Sequence, residues 1–346
     1  MRKNFLMCNE FLTICIPSFN RPDKLQKLLE NLASQEGIEL CKIIIHDNKS
    51  EPAYRKALSK FIRHHPDLRL EIYENVANVG MSGNILKCFE IRNSEWLWIM
   101  SDDDELLPSA IKLATKTMME VSDDIDIIKF SSDRSQPEIN GEVIDDIKGL
   151  IKFCDKSKND FNSFIFLTNC IYRLRRIQNL ADVGYRHAHT YVPHFMMISK
   201  LMDDGGKIYI SSQQIVNYVR PKIGYSYSLV GGIGVGALKE IDLNLEKKIY
   251  AQYISLFFPH NDWKVMIDLR YYCLANEQSG RFAYLAKQYI TSASYSRTYS
   301  KLIMLTLFRY LVAINPFFKT LIYILSKVST KYSDELDEMK YRYRSI

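Results

Sequence analysis

The chain has 346 residues, with 46 Lys and Arg against 40 Asp and Glu, 47% hydrophobic residues and 12% aromatics. This much apolar content can bury a large core, which excludes a disordered or fibrous chain and suits one large domain or two modest ones. Seven cysteines, at 8, 15, 41, 88, 154, 170 and 273, are scattered, with no C-x-x-C pair and no short His/Cys ligand spacing. They exclude a disulfide scaffold or zinc module and point to a reduced, cytosolic chain. The N-terminal stretch MRKNFLMCNEFLTICIP is broken by Asn9 and Glu10 and has no small-residue cleavage site, so no secretion signal is expected.

In chain order, Leu12 to Ile16 predicts a buried strand that stops at Pro17. Asn20, Arg21 and Pro22 offer a cap and a first-turn proline, and Leu25, Leu28, Leu29 and Leu32 recur at helical spacing. Lys42 to His46 predicts a second strand, Glu51 to His65 a helix, and Leu68 to Tyr73 a third strand. A helix over Ser82 to Ile91, a strand over Glu95 to Met100, a helix over Pro108 to Val121 and a strand over Ile125 to Phe130 follow. Such β-α-β repetition predicts a mainly parallel α/β sheet flanked by helices. From Ser132 to Asn162 the pattern weakens. Farther on come a helix over Tyr191 to Met202, a strand over Lys207 to Ser211, a glycine run at 231–236 and a helical remainder to Ser329. The chain thus divides at about residue 230 into an α/β domain, 1–230, and a helical C-terminal region, 231–346.

Ligands of such sheets lie beyond the carboxyl ends of the strands, and polar clusters fall at four of those ends: PSFNR, DNKS, NVANVGMSGN and SDDD. Asp102, Asp103 and Asp104 repel one another, which suits a bound hard cation; equally, they could cap the helix that follows. Asp47-Asn48-Lys49-Ser50 could contact a base and ribose or form an Asx turn. Gly80 and Gly83 would allow close backbone approach. Dinucleotide and P-loop glycine motifs and a G-x-S-x-G elbow are absent. The run at 231–236 reads as a mobile loop more than a phosphate cradle.

Taken together, IPSFNRP, IIIHDNKS, NVGMSGN and WLWIMSDDDELLP, in this order, resemble the family 2 glycosyltransferases of GT-A fold, bacterial polysaccharide type. The resemblance implies a nucleotide-sugar donor (UDP first, then CDP, dTDP or GDP), a divalent cation (Mn2+ or Mg2+) and inversion at the anomeric carbon. It divides the α/β domain into a nucleotide-sugar half, 1–131, and an acceptor half, 132–230. It carries Pro17, Phe19, Asn20 and Arg21 to the border of the nucleotide, Asp47 to the base, and Asn48 and Ser50 to the nucleoside. Gly80 and Asn84 shape the adjoining pocket, Asp102 meets ribose or metal, and Asp103, with Asp104 as a substitute, binds metal.

Where the family commonly has Glu-Asp before a helix, this chain has Pro193-His194, a Tyr-x-Pro-His variant similar to the branch containing O-antigen abequosyltransferases. His194 could be the general base, a structural histidine or a metal or phosphate contact; His187, His189, Asp203 and Asp204 are weaker candidates. The missing Glu-Asp also motivates a different reading, a catalytically silent nucleotide-sugar-binding or scaffold protein. A sugar-1-phosphate nucleotidyltransferase lacks its glycine-rich loop here.

Residues 278–333 hold eight basic and no acidic residues, whereas the remaining 290 carry 38 basic and 40 acidic groups. As one helix kinked at Pro316, Lys301 to Lys331 would place five basic side chains in one sector. Ile303, Leu307, Leu311, Ile314, Phe318, Leu321 and Leu325 would lie opposite. No apolar run is long enough to span a bilayer. The segment over 301–331 is therefore expected to bind a membrane surface, or else to close the core with its basic face solvated. Nucleic acid is not an expected partner. The expected setting is a cytoplasmic protein, peripheral on the inner face of the bacterial membrane, acting on a saccharide or lipid-linked saccharide in O-antigen or capsule assembly.

Overall fold

The structure is a computed structural model, and it describes residues 10–91, 93–132, 141–156, 164–190, 192–217, 241–257, 262–275, 280–294 and 297–328. The glycine run at 231–236, Tyr191 and Lys331 lie outside the described residues. The chain forms two compact units, Met1–Arg220 and Pro221–Ile346.

The first unit is built on a sheet of β1 (Glu10–Ser18), β2 (Cys41–Asp47), β3 (Leu70–Glu74), β4 (Ser94–Ile99), β5 (Glu105–Leu106), β6 (Ile127–Ser132), β7 (Glu142–Ile144), β8 (Cys170–Arg173) and β9 (Ile208–Asn217). Its order is β3-β2-β1-β4-β8-β6-β9-β5, with β7 beside β9. Strands β1 to β4 pair with one another in parallel, because each is joined to the next by a helix: α1 (Pro22–Ala33), α2 (Pro52–His64) and α3 (Gly80–Phe89). A fourth helix, α4 (Ala110–Glu120), precedes β6, and α5 (Ile147–Lys156) follows β7. The short strand β8 enters antiparallel between β4 and β6, and β6 then pairs in parallel with β9.

Burial explains the near-continuous apolar strands. Leu12, Ile14 and Ile16 of β1, Ile43 and Ile45 of β2, and Trp96 and Trp98 of β4 share one core with Leu25, Leu28, Leu29 and Leu32 of α1. Each such side chain contributes about 1.5–3 kcal/mol on leaving water. Edge strand β3 is mostly exposed and charged, with Glu71 2.9 Å from Lys42 of β2; charge on an edge discourages pairing with another chain.

Two local readings change. Asn20 does not cap α1, whose first turn begins at Pro22 without a side-chain cap; instead its Oδ1 accepts from the Glu51 amide at 2.8 Å. Nor do the aspartates cap α4, which is preceded by Ser109 at φ 64° with no side-chain cap.

The second unit is helical over Lys247–Leu256, Asp262–Ala275, Arg281–Ala293, Tyr299–Ala313 and Asn315–Val328. The single kinked helix expected over 301–331 is two helices, separated at Ile314, whose ψ of 111° is extended. Pro316 sits in the first turn of the second helix, where its missing N–H costs nothing. The buried carboxylate of Asp262 fastens the unit: it accepts from Tyr289 Oη at 2.6 Å and pairs with Arg297 Nε at 3.1 Å and Lys301 Nζ at 2.7 Å.

Candidate active site

Register places the site. In parallel sheets a fixed offset holds along a strand pair, and here Ser18 lies opposite Asp47 of β2. On its other side Cys15 lies opposite Ile99 of β4, so three residues on, Ser18 stands level with Asp102. Its Oγ donates to Asp102 Oδ2 at 2.8 Å. Asp47, Ser18 and Asp102 thus form one row across the carboxyl ends of three strands.

The aspartate turn is held from several directions. Arg21 Nη1 lies 3.0 Å from Asp102 Oδ1 and 3.2 Å from Asp103 Oδ2. Lys24, one helical turn on, reaches Asp103 Oδ2 at 2.7 Å, and Ser101 Oγ donates to its Oδ1 at 2.6 Å. Burial raises the Asp102 carboxyl above the usual range, against the opposing pull of Arg21 and Ser18. For Asp103 burial also raises, but the hydrogen bonds from Lys24 and Ser101 and the charges of Lys24 and Arg21 win and hold it below. Asp104 turns elsewhere: it is buried, and its Oδ2 accepts from Thr168 Oγ1 at 2.5 Å. The Thr168 Oγ1 also accepts from the Ser101 amide, and Trp98 Nε1 donates to the Thr168 carbonyl at 2.7 Å. The structure therefore brings Asp102 and Asp103 together on one cation and leaves Asp104 on the segment before β8.

Beside the aspartates, Asp47 is fully buried. Its Oδ1 accepts from the Ser50 amide at 2.9 Å, so the Asx turn forms. Its Oδ2 has no hydrogen bond and lies 3.8 Å from Arg55 Nε; a fully buried carboxylate oxygen with spare acceptor capacity is costly unless a ligand uses it. Ser50 Oγ accepts from the Asn20 amide at 2.9 Å, tying the first two strand ends together. Asn20 and Lys49 sit at φ 52° and 66°, the left-handed region that asparagine tolerates better than most.

Asn48 and Asn84 belong to an amide network. Asn75 Nδ2 donates to Asn48 Oδ1 at 3.0 Å and to Asn84 Oδ1 at 2.8 Å, Asn48 Nδ2 donates to Asn78 Oδ1 at 2.8 Å, and Asn84 Nδ2 donates to the His46 carbonyl. Gly80, at φ 75°, opens α3 in a conformation that a side chain would strain. Pro17 is half-buried within β1 and Phe19 is exposed beside it.

His194 is placed differently. It is 2% exposed, in the first turn of the Pro193–Asp203 helix, and its Nε2 lies 3.1 Å from the Ile165 carbonyl. Burial lowers its pKa to about 4. A neutral imidazole packed this way accepts a proton weakly. The structure links it to the aspartate turn through the segment that carries Ile165 and Thr168. His187 is buried, and Asp203 and Asp204 both meet Lys200 Nζ at 2.9 Å.

Lys24, Ser18, Arg55, Asn75, Asn78 and Thr168 also contact the candidate residues, and sequence reasoning missed them or placed them only loosely. Lys24 had a signal, since it follows Arg21 at i+3 on the same helical face. For Ser18 the strand offset was needed.

Among the described residues no three His, Cys, Asp or Glu side chains converge as a metal site. Two carboxylates that already share a cation nevertheless fit Mg2+ or Mn2+, ions held by one or two carboxylates with substrate phosphates completing the shell. Arg21 and Lys24, which neutralise these carboxylates here, are half-exposed at their side chains.

Residues 13–203 match glycosyl transferase family 2. The chain belongs to this family. It is similar to the abequosyltransferase RfbV of Salmonella typhimurium, 27% identical over 103 residues, 30% of this chain and 31% of that protein. A processive diacylglycerol beta-glycosyltransferase of Mycoplasma pneumoniae is 25% identical over 121 residues, 35% of each. The aligned stretch thus spans about a third of these curated relatives' length. Among solved structures, S. aureus TarS in complex with UDP-GlcNAc has a TM-score of 0.55 at 14% identity, covering 82% of this chain and 81% of that one. The mannosyltransferase PcManGT from Pyrobaculum calidifontis, in complex with GDP-Man and Mn2+, has a TM-score of 0.52 at 13% identity, covering 96% and 87%. These likenesses show a GT-A fold.

Proposed function

We propose that this family 2 member is an inverting, metal-dependent glycosyltransferase that moves a sugar from a nucleotide-sugar donor to a saccharide acceptor in bacterial surface-polysaccharide assembly. The observation that carries the reading is the row Asp47, Ser18, Asp102, with Asp102 and Asp103 converging on one guanidinium. Asp47 Oδ2 offers its unused acceptor capacity to a base N–H, and Asn48, Ser50, Gly80 and Asn84 shape the nucleoside wall. Asp102 and Asp103 would hold Mg2+ or Mn2+, which when bound offsets the negative charge growing on the leaving diphosphate. Arg21 and Lys24, released from the carboxylates, supply positive charge at the same place.

UDP is the first candidate nucleotide, because TarS has been captured with UDP-GlcNAc and with UDP; the GDP-Man complex keeps other nucleotides open. The acceptor would be a saccharide or lipid-linked saccharide, as the undecaprenol-linked substrate named for a Campylobacter jejuni relative suggests. A thermal-shift screen of UDP, CDP, GDP and dTDP with and without Mn2+ tests the site, since a bound ligand raises apparent stability. No shift with any nucleotide would count against the reading.

One observation favours the silent-binding alternative: the burial of His194, the residue standing where the family's base is expected. Release or transfer of sugar from a panel of nucleotide sugars separates the two. Binding without turnover of any donor would favour the silent protein.

A further inference from the structure

The C-terminal helix pair shows water the face that a globular helix normally hides. Among the described residues 21 large hydrophobics are exposed, and ten of them lie between Tyr299 and Ile324. At 100° per residue, those of the Tyr299–Ala313 helix fall within an arc of about 140°, centred opposite the two buried residues, Leu305 and Val312. Leu307 and Tyr310 are each 60% exposed on that arc. On the Asn315–Val328 helix Phe318 is buried while Tyr323 and Ile324 face out. This overturns the reading in which the segment closes the core with a solvated basic face: the apolar side is the one in water.

The basic side chains flank this face and leave most of it exposed. Lys301 is spent on Asp262, which also binds Arg297 and Tyr289 and so fastens the helix pair to its unit. Arg309 lies over the Tyr310 ring at 4.5 Å and Lys327 over the Tyr323 ring at 5.7 Å, so cationic heads sit beside the exposed aromatics. No helix among the described residues is long and apolar enough to cross a membrane, and residues 278–333 carry no acidic side chain. An apolar face with flanking aromatics, cations and no anions is complementary to the boundary between acyl chains and anionic headgroups.

We infer that the two helices form a docking face for an anionic lipid bilayer, lying in its surface with Met304, Leu307, Tyr310, Ile314, Tyr323 and Ile324 inserted. Only the identity of the acceptor that the bilayer would carry rests on the transferase reading.

The test is co-sedimentation of the full chain with phosphatidylcholine vesicles, with and without phosphatidylglycerol, for the native protein and for Leu307→Glu combined with Ile324→Glu. Both positions are exposed, so circular dichroism and Tm should not change. The native chain is expected to partition at least about tenfold more strongly onto the anionic vesicles, less so at high salt. The double variant is expected to lose that binding about tenfold or more while keeping its nucleotide-induced thermal shift, which separates this inference from the proposed chemistry. Equal sedimentation of native and variant chains would overturn it. So would a concentration-dependent dimer, seen by light scattering, that the double variant dissolves and vesicles leave intact, since the face would then belong to a second copy.

Discussion

The strand-end site and the C-terminal helix pair invert each other's chemistry. At the strand ends, charged groups such as Asp47 and Asp102 are buried, and most of their oxygens already have donors within the chain. On the helix pair, apolar groups stand exposed to water. Each arrangement is costly alone, and each points to a partner of opposite character: cationic or hydrogen-bonding for the buried acids, apolar and anionic for the exposed helices. A buried carboxylate and a large exposed apolar patch are thus informative for the same reason, because neither is what folding alone selects.

The comparison predicts that changes at the strand ends act on turnover, whereas changes on the helix pair act on stability or on surface binding. The largest effect is expected from Asp103→Asn. It keeps the shape of the turn and removes the charge that Lys24 and Arg21 neutralise, so sugar transfer should fall by about 10²–10³-fold with little change in Tm. Steady-state rates with saturating Mn2+ would measure this; an undiminished rate would break the metal assignment.

Next in size is Leu305→Ala on the inner side of the Tyr299–Ala313 helix. Leu305 is fully buried, and its truncation should cost about 2–5 kcal/mol, read as a lower denaturation midpoint of the second unit.

Third is the Asp262 node. Asp262→Ala would remove the carboxylate that Arg297 and Lys301 share. Because Lys301 is 37% exposed at its side chain, water recovers part of the loss, so about 2 kcal/mol is expected. The same group sets a pH dependence. Burial raises the Asp262 carboxyl, but hydrogen bonds from Lys301, Tyr289 and Arg297 outweigh it and leave it below its ordinary 3.8. A depressed folded-state value gives stability that is full above the unfolded value and lost as pH falls through the folded one. The native chain should therefore lose this contribution below about pH 4, and Asp262→Ala should flatten that part of the Tm–pH curve.

How far these features could be read from the sequence differs between the two regions. Strands β1, β2 and β4 and helix α1 were legible because both faces of each strand are buried, giving continuous apolar runs, and because Leu25, Leu28, Leu29 and Leu32 mark one helical face. The polar strand ends were legible as candidates, but the row Asp47, Ser18, Asp102 needed the strand offsets, which are tertiary facts. Strand β8 is four residues long and pairs with β4 and β6 across large separations, so no local pattern announces its antiparallel insertion. His194 shows the same limit: its residue type suited a base, and only packing reveals that it is buried beside Ile165. In the C-terminal helices periodicity gave the angle between the basic and apolar faces. It could not give which face meets the core, because that depends on what else the unit offers for burial.

Leu307→Ala gives the smallest effect and separates the two helix faces most sharply. Leu305 and Leu307 are two residues apart on one helix, about 200° around its axis, and both are leucines, so composition and propensity treat them alike. Leu307 has little to lose on truncation in solution, and its change in stability should stay within about 0.5 kcal/mol. If the outer face enters a bilayer, the same truncation removes apolar surface from the docked state only. Partition onto anionic vesicles should then fall about threefold, the share of one partly inserted side chain. A Leu307→Ala chain as destabilised as Leu305→Ala would mean that this face is covered in the protein itself, and the contrast between the buried acids and the exposed helices would be lost.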